Sequence, residues 1–249
     1  MRQMVAILEV NLIDDDQREH RAITPTYYDL IAVAAARKGH GRIVSQMISR
    51  GASDFNWIAV SAARGGRHDL VDQMLDMGAI DSVKMAEAAA RGGHRRIIEL
   101  MMDRGKVDLD SIAIAAARKG HRDVVALTLN RGRVSLDRVA EAAADGGHRD
   151  LVNYLVEEGA KSYQGIANVA ANRGYSLIVN DMIERGARNF DWLAGLASRG
   201  GHLDIVEQMI DRGASDYQRY AEIAVIENHL GIVNAMIERG AHVSLPGSR

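Results

Sequence analysis

Residues 107–133 read VDLDSIAIAAARKGHRDVVALTLNRGR, and this pattern returns every 27 residues along the chain. Its closing glycine recurs as Gly51, Gly78, Gly105, Gly132, Gly159, Gly186, Gly213 and Gly240, with no residue gained or lost between copies. Eight units span residues 26–241 of the 249-residue sequence. A fixed short period is the mark of a solenoid, whose units are too small to bury a core alone and obtain one by stacking.

Within a unit the spacing predicts two short antiparallel helices. The first is entered through Asp54, Asp81, Asp108, Ser135, Ser162, Asn189 or Asp216, side chains that accept from free helical amides. Unit one has Tyr27 there, and Thr26 is the expected substitute cap. Phe55, Ile58, Ala59 and Ala62 then share one helical face, and Leu109, Ile112, Ala113 and Ala116 repeat it. Two positions are alanine in every unit: the column from Ala32 through Ala113 to Ala221, and the column from Ala35 through Ala116 to Ala224. Helix propensity alone does not keep Glu or Lys out of such columns, so close helix approach is expected, with no room for another methylene. The first helix stops at a glycine, Gly39 to Gly201, replaced once by Asn228, the other residue at ease in a left-handed backbone. The second helix carries patterns such as Ile43, Val44, Met47 and Ile48, with Asp69, Asp123, Asp150 and Asp204 near its amino end.

The expected fold class is therefore all-α, a solenoid of stacked helix-turn-helix repeats, with residues 1–25 as an N-terminal non-repeat capping helix and 242–249 as a short tail. Met1, Met4, Val5, Leu8 and Leu12 form the stripe that would cover unit one. At the other end Ile232, Val233, Met236 and Ile237, with Val225 and Ile226, leave unit eight either thinly capped or covered by a partner.

The stretches AAARKGHRDVV (115–125), GGHRDLVNYLVEEGA (146–160) and GGHLDIVEQMIDRGA (200–214) resemble ankyrin repeats, and the likeness recurs in phase through both helices of all eight units. The family's Leu-His-x-Ala-Ala signature is half present: its alanines match Ala116 and Ala117, its histidine position holds Ile114, and its Thr-Pro opening is replaced by Ser111 and Ile112. An ankyrin unit is usually about 33 residues. The missing six fall where the family builds its projecting β-hairpin fingers, so the resemblance implies a solenoid without them. Arrays of such short units are similar to ankyrin proteins encoded by large DNA viruses of amoebae.

The bulk composition excludes several functions. A formal charge of −2, from 31 basic and 33 acidic residues, argues against bulk attraction to nucleic acid or anionic membrane. No cysteine means no disulfide, no thiolate nucleophile and no cysteine-ligated zinc, and fits a reducing compartment: the cytoplasm, or a host cytoplasm for a viral protein. The opening MRQMVAILEVNLIDDD reads as a short helix rather than a signal peptide, and nothing approaches a membrane span. No nucleotide loop, zinc-protease motif, nucleophile elbow or calcium loop is present, so neither catalytic residues nor a cofactor is expected.

Three columns remain as candidate functional residues. The first holds His40, His94, His121, His148, His202 and His229, with Arg67 and Tyr175 as exceptions. Members a repeat layer apart, on the order of 10 Å, cannot share a zinc whose ligands lie about 2.1 Å from it. The resemblance implies a structural role near the inter-helix turn. The second holds Arg37, Arg64, Arg91, Arg118 and Arg199, interrupted by Asp145, Asn172 and Ile226. These either complement the helix dipole or collect the carboxylates or phosphates of a partner. The third holds Leu30, Trp57, Lys84, Ser111, Arg138, Gly165, Trp192 and Arg219. Its chemistry varies as a binding face requires, and the only tryptophans, Trp57 and Trp192, are either anchors or covers for a neighbouring helix. The expected function is a non-enzymatic protein-interaction scaffold for an unidentified protein. The alternatives are a self-associating structural protein, through an end-to-end homodimer at unit eight, and, less favoured, a binder of acidic or phosphate-bearing partners including nucleic acid. A membrane is not an expected partner.

Overall fold

The computed structural model describes residues 25–105 and 107–242. Among them are sixteen helices and no strand, folded as eight hairpins. Units one to four pair α1 (Pro25–Lys38) with α2 (Gly41–Ser49), α3 (Phe55–Arg64) with α4 (His68–Asp76), α5 (Ser82–Gly92) with α6 (Arg95–Arg104), and α7 (Leu109–Ala117) with α8 (Arg122–Arg131). Units five to eight pair α9 (Leu136–Asp145) with α10 (Arg149–Glu157), α11 (Tyr163–Arg173) with α12 (Ser176–Arg185), α13 (Phe190–Gly200) with α14 (Leu203–Asp211), and α15 (Tyr217–Ile226) with α16 (Leu230–Glu238). Residues 1–24 of the capping helix expected over 1–25, and residues 243–249 of the tail, lie outside the described residues, and Pro25 opens α1.

Both alanine columns are buried along the whole array. Successive first helices pack closely through them, while successive second helices barely touch. Close approach on one side and wide spacing on the other curves the array, with the first helices on the concave side. Between the two helix layers run Val44, Met47, Val71 and Met74 and their equivalents, down to Val233 and Met236, all shielded from solvent. At unit eight Ile232, Val233 and Met236 face inward, and only Ile237 of the second-helix set is exposed.

Five of the seven expected caps accept an amide of the first turn: Asp54 from Trp57, Asp81 from Lys84, Asp108 from Asp110, Asn189 from Trp192 and Asp216 from Arg219. Ser135 and Ser162 do not. The Ser162 hydroxyl instead donates to Glu141 of the preceding unit at 2.8 Å. Thr26, expected to precede the first helix, lies inside α1, which begins at Pro25.

Every first helix ends alike. The amide of the histidine-column residue donates five residues back to the second alanine column, as His121 does to the Ala116 carbonyl at 3.1 Å. The glycine between adopts a left-handed backbone, φ +72° to +83° from Gly39 to Gly201, and Asn228 matches it at +62°. Six second helices close by the same bond, from Ala52, Ala79, Ala160, Ala187, Ala214 and Ala241, each buried. The other two end in extended backbone at Gly105 and Gly132, where Lys106 and Arg133 stand in place of alanine. The exposed Arg133 side chain does not fit the seat that an alanine methyl fills.

Two kinds of polar staple join successive units, and both cross between hairpins. At the carboxyl end of the first helix, the histidine-column ring lies over the preceding unit's left-handed glycine. His94, His121, His148, His202 and His229 donate from Nε2 to the carbonyls of Arg64, Arg91, Arg118, Asn172 and Arg199 at 3.1–3.3 Å. These carbonyls belong to the last helical turn and lack intrahelical partners. Arg67 and Tyr175 occupy the same seat over Gly39 and Gly147. The column therefore links units, beyond the role at its own turn that the resemblance implied.

The second staple was not anticipated. A carboxylate or amide in the first turn of one unit accepts the backbone amides that lead into the next. Asp29 takes Ser53 and Asp54, Asn56 takes Ile80 and Asp81, Asp110 takes Ser135, Asp137 takes Lys161 and Ser162, Gln164 takes Arg188 and Asn189, and Asp191 takes Ser215 and Asp216. Gln218 holds His242 in the same way. In a loop too short to pair as strands these amides have no backbone acceptor, so the side-chain column takes the place of the missing hairpin ladder.

Unit three is the exception, with Val83 in the staple position. Val83 is 38% exposed, so Val83→Asp gives up part of a valine's packing and supplies an acceptor for the amides of Val107 and Asp108. The substitution is expected to stabilise the protein by about 0.5–1.5 kcal/mol. Urea denaturation of the two proteins checks it; a variant less stable than the parent would show that this junction differs from its neighbours in more than one side chain.

Candidate partner-binding face

The first helices bury the apolar face that meets their own second helix and neighbouring first helices, and leave a stripe free. On α3 that stripe runs Trp57, Val60 or Ser61, Arg64, at helical spacing. The variable column and the arginine column are therefore the two ends of one stripe, seven residues apart, repeated along the concave side. Leu30, Trp57, Lys84, Arg138, Trp192 and Arg219 are exposed, as are Arg37, Arg64, Arg91, Arg118 and Arg199.

Their electrostatic surroundings differ. Lys84 pairs with its own cap, Asp81, at 2.7 Å; this contact raises the lysine pKa and holds the aspartate below the usual carboxylate range. Arg91 pairs with Glu87 at 3.1 Å, and Arg199 reaches Glu227 at 3.8 Å. Asp145, one of the interruptions in the arginine column, lies between Arg118 at 2.9 Å and Arg173 at 2.6 Å. Arg37, Arg64, Arg138 and Arg219 have no carboxylate within ion-pair distance among the described residues. The arginine column is thus a partly neutralised stripe, with its open cations at the unit-one end.

The two tryptophans are 41% and 43% exposed, so each rests on the frame and still offers a ring face. The Arg219 guanidinium lies 5.4 Å from the Trp192 ring centroid, a cation–π contact between column neighbours. Beside them a groove of about 390 Å³ opens between α13 and α15, its apolar lining Gly195, Leu196, Ile223 and Ile226 and its charged lining Arg199 and Glu222. Tyr220 of α15, fully buried, donates its hydroxyl to Asp191. That bond, with the amides of Ser215 and Asp216, keeps the Asp191 carboxyl below its ordinary range, while burial pushes the Tyr220 phenol up.

Sequence reasoning missed this groove. Two departures from the repeat signal it: glycine at 195, where other units carry Val33, Val60, Glu87, Ile114, Glu141, Asn168 and Glu222, and isoleucine at 226 in the arginine column. Away from the stripe, the polar groups bridge second helices. Arg149 grips Asp181 at 2.7 and 2.8 Å and lowers its pKa, and Arg122 lies 4.3 Å from the Tyr154 ring centroid in the same relation one unit earlier. Among the described residues no group of three or more His, Asp or Glu side chains is placed to hold a metal ion, and no helix is long and apolar enough to cross a membrane.

No protein-family model matches the chain, and no curated protein matches it. Among solved structures it is similar to the human ASB11 ankyrin repeat domain, over 75% of this chain and 99% of that one, with a TM-score of 0.52 and 17% sequence identity. At that identity the likeness is one of fold: an all-helical, ankyrin-like solenoid.

Proposed function

We propose that the protein is a non-enzymatic scaffold that holds a partner protein against its concave, first-helix face. The observation that carries this reading is the joining of two columns in one exposed stripe. The frame beneath is alanine, glycine and inter-unit staples in unit after unit, whereas the stripe changes from Trp to Lys to Ser to Arg. Partner-binding residues in this reading are Trp57, Lys84, Arg138, Trp192 and Arg219 at one edge and Arg37, Arg64, Arg91, Arg118 and Arg199 at the other. The domain organisation is a cap over 1–25, the array over 26–241 and a tail over 242–249. The 27-residue unit without fingers supports a likeness to the arrays of amoeba viruses, and the lack of cysteine supports a cytoplasmic setting, in a host if the protein is viral.

The test is affinity recovery from native extract with the parent and a Trp57→Ala, Trp192→Ala double variant. Both side chains are partly exposed, so the variant is expected to keep its helicity and melting curve while losing the partner. Unchanged recovery by a folded variant rejects the tryptophans as anchors.

A second reading, self-association through unit eight, is favoured by Ile226, Leu230 and Ile237, which are 80%, 56% and 42% exposed. Such contact would not continue the stack: at Asn228 a Cβ stands where seven other units offer a bare glycine to the next ring. Sedimentation across a concentration series separates the two readings. Nucleic acid and phosphate-bearing partners are the weaker option, because Arg91, Arg118 and Arg199 already have carboxylates close by.

A further inference from the structure

Units seven and eight depart from the repeat together. Gly195 lies inside α13, where glycine weakens a helix. Packing does not demand it: an added Cβ would find only the Ile223 Cδ1 at 3.5 Å, an ordinary contact. What the glycine does is leave a notch between α13 and α15. One wall of that notch is Ile226, 80% exposed where five units carry a solvated arginine. Both departures cost stability or solubility, and both make the same place hollow and apolar. The groove, about 390 Å³ and open to solvent, has room for one side chain.

The rim carries the complementary signal. The Arg219 guanidinium lies 5.4 Å from the Trp192 ring centroid, and no carboxylate is within ion-pair distance of it among the described residues, although its charge, after the Tyr220 hydrogen bond, contributes to lowering the Asp191 pKa. Arg199, on the same rim, is held loosely by Glu227 at 3.8 Å. The acidic rim residue, Glu222, already accepts from the Gln218 amide at 2.7 Å. With Glu222 still charged, the lining carries two guanidinium groups against one carboxylate, an excess that favours an anion, and a carboxylate meets in Arg219 a fork that can bind it through two parallel hydrogen bonds.

We propose that this groove seats one bulky apolar side chain of a partner protein segment, with an adjacent Asp or Glu paired to Arg219. The proposal rests on the reading of the first-helix face as the binding face, and names the partner chemistry at one end of it. Trp192 supplies the aromatic flank, Gly195 the depth, Ile223 and Ile226 the apolar walls, and Arg219 the charge selectivity.

The test uses short fluorescein-labelled peptides with a central Leu, Phe or Ala flanked by Asp, Ser or Lys, titrated by anisotropy into the full chain at physiological salt. Asp-flanked Leu and Phe peptides are expected to bind about tenfold or more tightly than Ser-flanked or Ala-centred ones, and Lys-flanked ones not measurably. Gly195→Val and Ile226→Arg each place a residue that other units carry at that position, and both are expected to abolish binding. Ile226→Arg sits at an exposed site, so it keeps the test valid if Gly195→Val disturbs folding. Arg219→Ser should erase the preference for Asp over Ser flanks while leaving the preference for Leu over Ala. Equal affinity for Asp- and Ser-flanked peptides, the absence of binding by any peptide, or full binding by Ile226→Arg overturns the proposal. Binding lost in Trp57→Ala but kept in Ile226→Arg also overturns it, while leaving the first-helix face as the binding face.

Discussion

Gly120→Ala is expected to lower stability by about 2–4 kcal/mol, from two penalties of different origin. Gly120 has φ +76°, which an L residue adopts at a cost of about 1–2 kcal/mol. The new methyl would also lie 2.7 Å from the His148 ring, which rests over this glycine and donates to the Arg118 carbonyl at 3.2 Å. The ring must move, and the bond between units four and five goes with it. A double-mutant cycle separates the terms: with His148→Ala in the background, Gly120→Ala should cost only the backbone part, about 1–2 kcal/mol. Equal costs in both backgrounds would show that the ring is not pressed onto the glycine. Urea denaturation reads the totals, and hydrogen exchange at units four and five shows whether the loss is confined to that junction, as nearest-neighbour coupling requires.

Ala116→Leu should destabilise by about 1–3 kcal/mol through overpacking. Ala116 is wholly buried where first helices meet, and its carbonyl already receives the His121 amide at 3.1 Å. A longer side chain there has to push neighbouring first helices apart, and the staples at either end of those helices resist the movement. Ala34→Leu is the control: Ala34 faces solvent on α1, and the change should fall within about 0.5 kcal/mol. A small effect at Ala116 would mean that the close contact between first helices does not depend on the alanine columns.

The unit, its two helices, the alanine columns and the turn glycines were all legible in the sequence, because each is local chemistry repeated in phase. A cap at Asp54, an alanine at 116 and a left-handed Asn228 depend on their own few residues, and repetition separates the signal from chance. The missing cap at Ser162 was misread for a related reason, while nothing in the structure explains the one at Ser135. Ser162 is a competent cap by type, but Glu141 of the neighbouring unit accepts its hydroxyl instead. Likewise, the place of Trp57 and Trp192 in a variable column left open whether they are anchors or covers for a neighbouring helix, and the pairing of Arg219 with Trp192 was not legible at all.

What the sequence by itself determined, then, is the architecture: an all-helical array of 27-residue units with no room for fingers. Only the tertiary structure decided how the units hold one another and where the concave face opens. Asp29 reaches Ser53, and His94 reaches Arg64, across 24 and 30 residues, and these distances close only once the rotation between stacked hairpins is set. Before stacking, a carboxylate in a first helical turn and a histidine after a glycine look like ordinary solvated or turn residues. The groove beside Gly195 has the same origin. A glycine and an isoleucine 31 residues apart form one hollow because the packing of α13 against α15 brings them face to face, and no local pattern encodes that meeting.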